Sequence, residues 1–166
     1  MPQDGTIADL YERDFYTWGL RQAAALRSAQ AALRDDGVND PSACLSVLDW
    51  ENIAEEIEAL SRKDRRELRE RLATVIKHLI KLRDSPATDP RAGWRDTVLR
   101  ARQAIEVLLD DSPSLRQMVP DLLGEATIMA RRLAGGSLHA HGEAAAIQAD
   151  FTPKQILTDW WPDAVA

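Results

Sequence analysis

A single cysteine, Cys44, stands in 166 residues, which excludes an intrachain disulfide and any paired-thiol redox or zinc motif. A reducing cytoplasm is the simpler expectation. Long apolar runs are missing as well: no uninterrupted stretch approaches the roughly 20 residues that cross a bilayer. The N-terminal MPQDGTIADL also lacks the basic start and apolar run of an export signal. No membrane partner is expected. Positive charge is in deficit, with 21 basic against 27 acidic residues and a net charge of −6, so any nucleic-acid binding would have to rest on a local patch. There is no Gly-rich phosphate loop, no G-x-S-x-G elbow and no strand-like alternation of convincing length.

What is present is helical spacing from end to end, at a length that suits one domain. The pattern predicts an all-α bundle of about five to six helices and no sheet. Thr6 with Asp9 offers a capping signal for a first helix, Asp14 can cap a second start, and the run passes Trp18 and Leu26 towards Leu33. Residues 34–48 gather Asp, Gly, Asn and Pro and read as a loop insertion. Asp49 caps a helix whose stripe is Trp50, Ile53, Ile57 and Leu60. Ser61 with Asp64 repeats the capping signal, leaving a kink, a new start or continuity open before the stripe resumes through Leu68, Leu72, Val75, Ile76 and Leu79 to Leu82. DSPATDPRAG, residues 84–93, should stop it. The next helix carries Trp94, Val98, Ala101, Ile105 and Leu108. Ser112 and Pro113 announce its successor, with Leu115, Met118, Leu122, Ala126, Met129 and Leu133 as its apolar side. Pro120 should bend or split that helix, and Gly135 with Gly136 should end it. Residues 135–152 read as a linker or weak helix, and 153–161 as a short docking helix started by Thr152, Pro153 and Gln155.

The segment ENIAEEIEAL, residues 51–60, raises the sharpest chemical question. Glu51, Glu55 and Glu58 form one file beside the apolar stripe, and Glu56 borders it on the other side. Such carboxylates can bind a hard cation or share a proton in a bundle. Di-iron bundles pair each such site with Glu-x-x-His, however, and no histidine follows a glutamate at that spacing here. Residues 49–60 carry five acids and no base, while residues 61–83 carry nine Lys or Arg, an order that complements the helix dipole. Glu58 with Arg62, and Glu67 with Arg71, are spaced for helical ion pairs. The structural reading of the file is therefore preferred.

Four further groups invite both a functional and a structural reading. Arg62, Arg65, Arg66 and Arg69 form the best nucleic-acid candidate, but Asp64, Glu67 and Glu70 interrupt the tract, as on a solvated, ion-paired face. His78 lies beside an apolar stripe and would become a proton shuttle or ligand if Glu55 or Glu56 faced it across a helical pair; the ordinary alternative is a half-buried histidine. His139, His141 and Glu143 form an unspecific metal trio on one glycine-flanked stretch. The tryptophans read as core or interface, with the doublet of Trp161 after Trp160 as a possible partner-binding tip.

The chain resembles a bacterial family known as domain of unknown function 29. The likeness rests on YERDFYTWGLRQAAALR, on LDWENIAEEIEALSRKDRREL, on the helix ending HLIKL, on GWRDTVLRARQAI, on SPSLR and on a terminal PKQILTDWWP. The pieces occur in the family's order over most of the chain. Departures are the longer link SAQAALRDDGVNDPSACLSV before the LD motif and KLRDSP after the histidine helix. The resemblance implies a small all-helical fold and brings no established activity, substrate or cofactor. It concentrates attention on Asp14, Tyr16, Trp18, Asn52, Glu55, Glu56, Glu58, His78, Lys81 and Trp94.

No catalytic constellation is complete. The favoured expectation is thus a non-enzymatic module without a cofactor that binds a protein partner or a second copy of itself. An acid–base or metal-dependent enzyme built on Glu55, Glu56 and His78 is the first alternative, and nucleic-acid binding the second.

Overall fold

A computed structural model describes residues 7–35, 50–139 and 150–162. These residues form six helices: α1 (Ile7–Arg13), α2 (Phe15–Asp35), α3 (Trp50–Asp84), α4 (Arg91–Asp111), α5 (Leu115–His139) and α6 (Pro153–Leu157). No strand occurs among the described residues, so the all-α expectation holds. The expected loop at 34–48 lies outside them apart from its first two positions, which prolong α2. The chain divides into two compact units, one of residues 1–65 with 111–114 and the other of residues 66–110 with 115–166.

In the first unit, Asp14 both separates and joins α1 and α2. Its N–H donates to the Leu10 carbonyl at 2.8 Å, and its Oδ1 accepts from Thr17 N at 3.0 Å, which caps the start of α2. Tyr11, Phe15 and Trp18 recur at helical spacing across this junction and pack ring to ring, with centroids 4.9 to 5.7 Å apart. Further along, small residues bring α2 and α3 close together: Gly19, Ala23, Ala54 and Ser61 are all buried. A Cβ at Gly19 would collide with Ser61 Oγ and come within 3.3 Å of the Ile57 carbonyl oxygen. Only glycine permits that approach.

This contact corrects the stripe predicted for the start of α3. Ala54 and Ser61 are fully buried, whereas Ile53 and Leu60 keep 37% and 47% of their surface exposed. Ser61 spends its hydroxyl on the Tyr16 carbonyl at 3.0 Å and so caps no new helix. α3 is continuous through it over 35 residues.

In the second unit the later turns of α3 are buried on most sides: Leu68, Leu72, Ala73, Val75, Ile76, Leu79, Ile80 and Leu82 are all inaccessible or nearly so. A helix apolar around most of its circumference belongs in the centre of its unit. Each such leucine or isoleucine contributes on the order of 1.5–3 kcal/mol by leaving water. α4 contributes Val98, Ala101, Ile105 and Leu109 to the core, and α5 contributes Leu115, Val119, Leu122, Ala126, Ala130 and Ala134. The α5 stripe is again carried by alanines where Met129 and Leu133 were expected. α5 passes Gly135 and Gly136 without stopping, and Pro120 does not split it. Pro120 is exposed, so the carbonyl left without its amide partner lies on a face that water can reach. Ser112 serves α2 instead of its own following helix, since its buried hydroxyl accepts at 3.1 Å from Tyr16 N, an open N–H of the first turn of α2.

Two arginines finish the second unit. Arg91 donates to the Leu82 carbonyl at 2.6 Å and to the Ser85 carbonyl at 3.1 Å, meeting acceptors that the end of α3 would otherwise leave open. α6 starts with the expected capping box, Thr152 with Gln155, and buries Ile156. Arg102 reaches it from α4. Its Nε donates to the Ile156 carbonyl at 2.9 Å, and one terminal nitrogen donates to the Gln155 and Trp160 carbonyls, each at 2.8 Å. The guanidinium lies 5.1 Å from the centre of the Trp161 ring.

Candidate functional site

The acidic file of α3 is an ion-pair lattice. Arg27, projecting from α2, donates to Glu51 at 3.1 Å and to Glu58 at 2.9 Å, while Arg62 holds the other oxygen of Glu58 at 2.8 Å. The hydrogen bond from Arg27 depresses the Glu58 carboxyl below its ordinary range, and Glu51 in turn helps hold the Arg27 guanidinium above its own. A carboxylate so fixed in its ionised form is a poor proton donor at neutral pH. Asn52, Glu55 and Glu56 are exposed.

Asp14 and its neighbours are also committed to structure. Asp14 Oδ2 accepts from Ser114 N at 2.9 Å, and Oδ1 accepts from Ser114 Oγ at 2.9 Å in addition to capping α2. Together with the Tyr16 bond to Ser112, this ties the start of α2 to the segment between α4 and α5, some 100 residues away in sequence. Trp18 belongs to the aromatic cluster. The motif DFYTW is therefore a clasp.

His78 is buried with 8% of its surface exposed, and its Nδ1 lies 2.8 Å from the Thr74 carbonyl one turn back. The carbonyl can only accept, so Nδ1 carries the proton and Nε2 is the basic nitrogen. Burial lowers the imidazole pKa, and the positive charges of Lys77 and Lys81 push the same way. Lys81 sits 5.5 Å from the centre of the Trp94 ring.

The expected partnership of His78 with Glu55 or Glu56 does not form. All three lie on the unbroken α3, so the imidazole does not face either carboxylate from a second helix. The arginine tract lies on one side of the same helix, but Arg62 is bound to Glu58, Arg69 to Glu125, and Arg65 is engaged as well. Phosphates would have to displace those partners. No group of three or more metal-ligating side chains occurs among the described residues. The trio expected at His139, His141 and Glu143 lies outside the described side chains.

Among the described residues of the second unit, two cavities stand out. One, of about 790 Å³, lies along α4 and α6 and is lined by Arg102, Glu106, Leu109, Leu157 and Asp159 among others. Arg102 leaves its Nη1 buried without a partner among the described residues, and burial lowers its pKa while Asp159 opposes the shift. The other, of about 440 Å³, lies on the flank of α5 and is lined by Arg69, Glu125, Ile128, Met129, Arg132 and Leu133. Ile128, Leu133 and Met129 are 57%, 49% and 37% exposed, and Arg69 donates to Glu125 at 3.1 Å across the groove. Reading α5 by its larger apolar residues assigns two of these to the core. The run of Ala126, Ala130 and Ala134 at i, i+4 and i+8 is the available sign that the helix is turned the other way.

The family model described as "Domain of unknown function DUF29" matches residues 10–161. Among solved structures, an α-helical protein of unknown function from Rhodospirillum rubrum is similar, with 28% identity and a TM-score of 0.68 over 90% of this chain and 89% of that one. No curated protein matches the chain.

Proposed function

The chain belongs to the family of domain of unknown function DUF29, and from that premise we propose that it is a non-enzymatic, cytoplasmic binding module that takes an amphipathic helix of a protein partner on the flank of α5. The observation that carries this reading is the groove of Ile128, Met129 and Leu133 rimmed by Arg69, Glu125 and Arg132. Singly exposed apolar residues are ordinary, but three around one concave strip with charged edges match the centre and rim of a helix-binding groove. The acid–base alternative is weaker, because its carboxylates and imidazole share one unbroken helix rather than facing each other from two.

Photo-crosslinking in cells tests the proposal. A benzophenone side chain placed at position 128 or 133 should capture protein adducts that the same probe at the exposed Lys154 does not. Equal labelling at all three positions would overturn it.

A further inference from the structure

Resting on that docking reading, we infer that the helix received by the α5 groove is α5 of a second copy, packed antiparallel about a two-fold axis between Ile128 and Met129. The charge pattern carries the inference. Glu125 and Arg132 are seven residues apart, two helical turns, and so share one file along α5. They are also equidistant from the midpoint between Ile128 and Met129. In an antiparallel pair centred there, Ile128 meets Met129 of the second copy, and Glu125 meets Arg132 of the second copy on both sides of the axis.

A two-fold contact uses the same patch twice and must be self-complementary. Along α5 this patch is: two apolar residues at its centre, with Glu125 and Arg132 at equal distances on either side, while the second base of the rim, Arg69, comes from α3 and lies against Glu125. A groove shaped for an acidic or a basic partner would carry one sign along its rim. Arg69 strengthens the arrangement from within, because its bond to Glu125 fixes the carboxylate at the groove edge while 47% of that side chain remains exposed. Leu133 and the stem of Arg69 complete the apolar wall.

Sedimentation velocity across a concentration series gives the test. The wild-type chain should dimerise, and Arg132→Glu should weaken the dimer by about tenfold or more, the scale of one lost charged pair counted twice. Adding Glu125→Arg to that variant should recover most of the loss. Because Glu125→Arg also removes the bond to Arg69, a second measurement stands apart from charge: in a Cys44→Ser background, Ile128→Cys should form a disulfide-linked dimer under mild oxidation, and Val107→Cys on α4 should not. A dimer indifferent to both charge changes, or one in which the two cysteine variants cross-link equally, would overturn this geometry. A wild-type chain that is still monomeric at about 200 μM, where a micromolar dimer would be nearly fully formed, would also overturn it. In that case benzophenone adducts from position 128 to a different protein would leave the docking reading standing.

Discussion

Replacing Gly19 by alanine is the most direct probe of why this fold has its register. In an open helix the change would favour folding by about 0.5–1 kcal/mol. Here the added methyl meets Ser61 Oγ and the Ile57 carbonyl, and Ser61 is fully buried with its hydroxyl bonded to Tyr16 O. Overpacking of a tight seam costs about 1–3 kcal/mol. Turning the serine away would forfeit a hydrogen bond of about 1 kcal/mol. The net expectation is a loss of about 2 kcal/mol, against the helix-propensity gain. Ser61→Ala removes the colliding oxygen, and the Ser61 Cβ already lies at an ordinary 3.6 Å from the place the new methyl would take. Gly19→Ala should therefore cost clearly less in a Ser61→Ala background, where only the 3.3 Å approach to the Ile57 carbonyl remains, giving a coupling of about 1–2 kcal/mol in a double-mutant cycle. Urea unfolding followed by circular dichroism measures all four proteins. Additive effects, or a stabilising Gly19→Ala in the wild-type background, would refute the close approach.

Two further outcomes are expected. Asp14→Ala should destabilise the chain by about 2 kcal/mol, since it removes both a helix cap and the anchors of Ser114, whereas Glu55→Ala on the exposed face of α3 should stay within about 0.5 kcal/mol; equal effects in thermal unfolding would contradict the clasp. His78, with its pKa lowered from 6.5, should make the folded state lose stability as pH falls. Above about 6.5 both folded and unfolded chains keep the imidazole neutral, and below it the unfolded chain takes up the proton first, so stability drains until the folded pKa is passed. His78→Gln should flatten that part of the slope between pH 7.5 and 5, and identical slopes in chemical denaturation would show that burial does not shift the group.

Much of the architecture is legible in the sequence because it depends on local chemistry. The Asp14 break, the capping box of Thr152 and Gln155, the stop after Asp84 and the ion pairs Glu58–Arg62 and Glu67–Arg71 all involve residues within a few positions of one another. The rotation of α3 and α5 is not legible. Ranking residues by hydrophobicity selects Ile53, Leu60, Met129 and Leu133, but Gly19, Ala54, Ser61 and the alanines of α5 face inward, where small size permits close backbones. The ion pairing of the acidic file can be read in part from spacing, yet the cation that organises it, Arg27, comes from another helix 24 residues before Glu51. The Glu56–His78 pairing fails because it needs a break at Ser61, and the hydroxyl that would have capped one is held by Tyr16 O. Arg102 does leave a trace, as a base four residues after Val98 within an apolar file. Such a base must find carbonyls or acids once it is buried, and Arg102 finds three carbonyls.

The grip of Arg102 on the last helix also has a meaning for biosynthesis. Carbonyls of Gln155, Ile156 and Trp160 accept from its Nε and one terminal nitrogen, so Arg102 finds these acceptors only after translation has passed residue 160. In a nascent chain stalled earlier, water must receive the protons of that guanidinium, because burying it without those carbonyls would cost the desolvation of an unpaired charge. Maturation of the second unit thus waits on residues 155–160, and products truncated before them should stay open to the cell's proteases around Arg102.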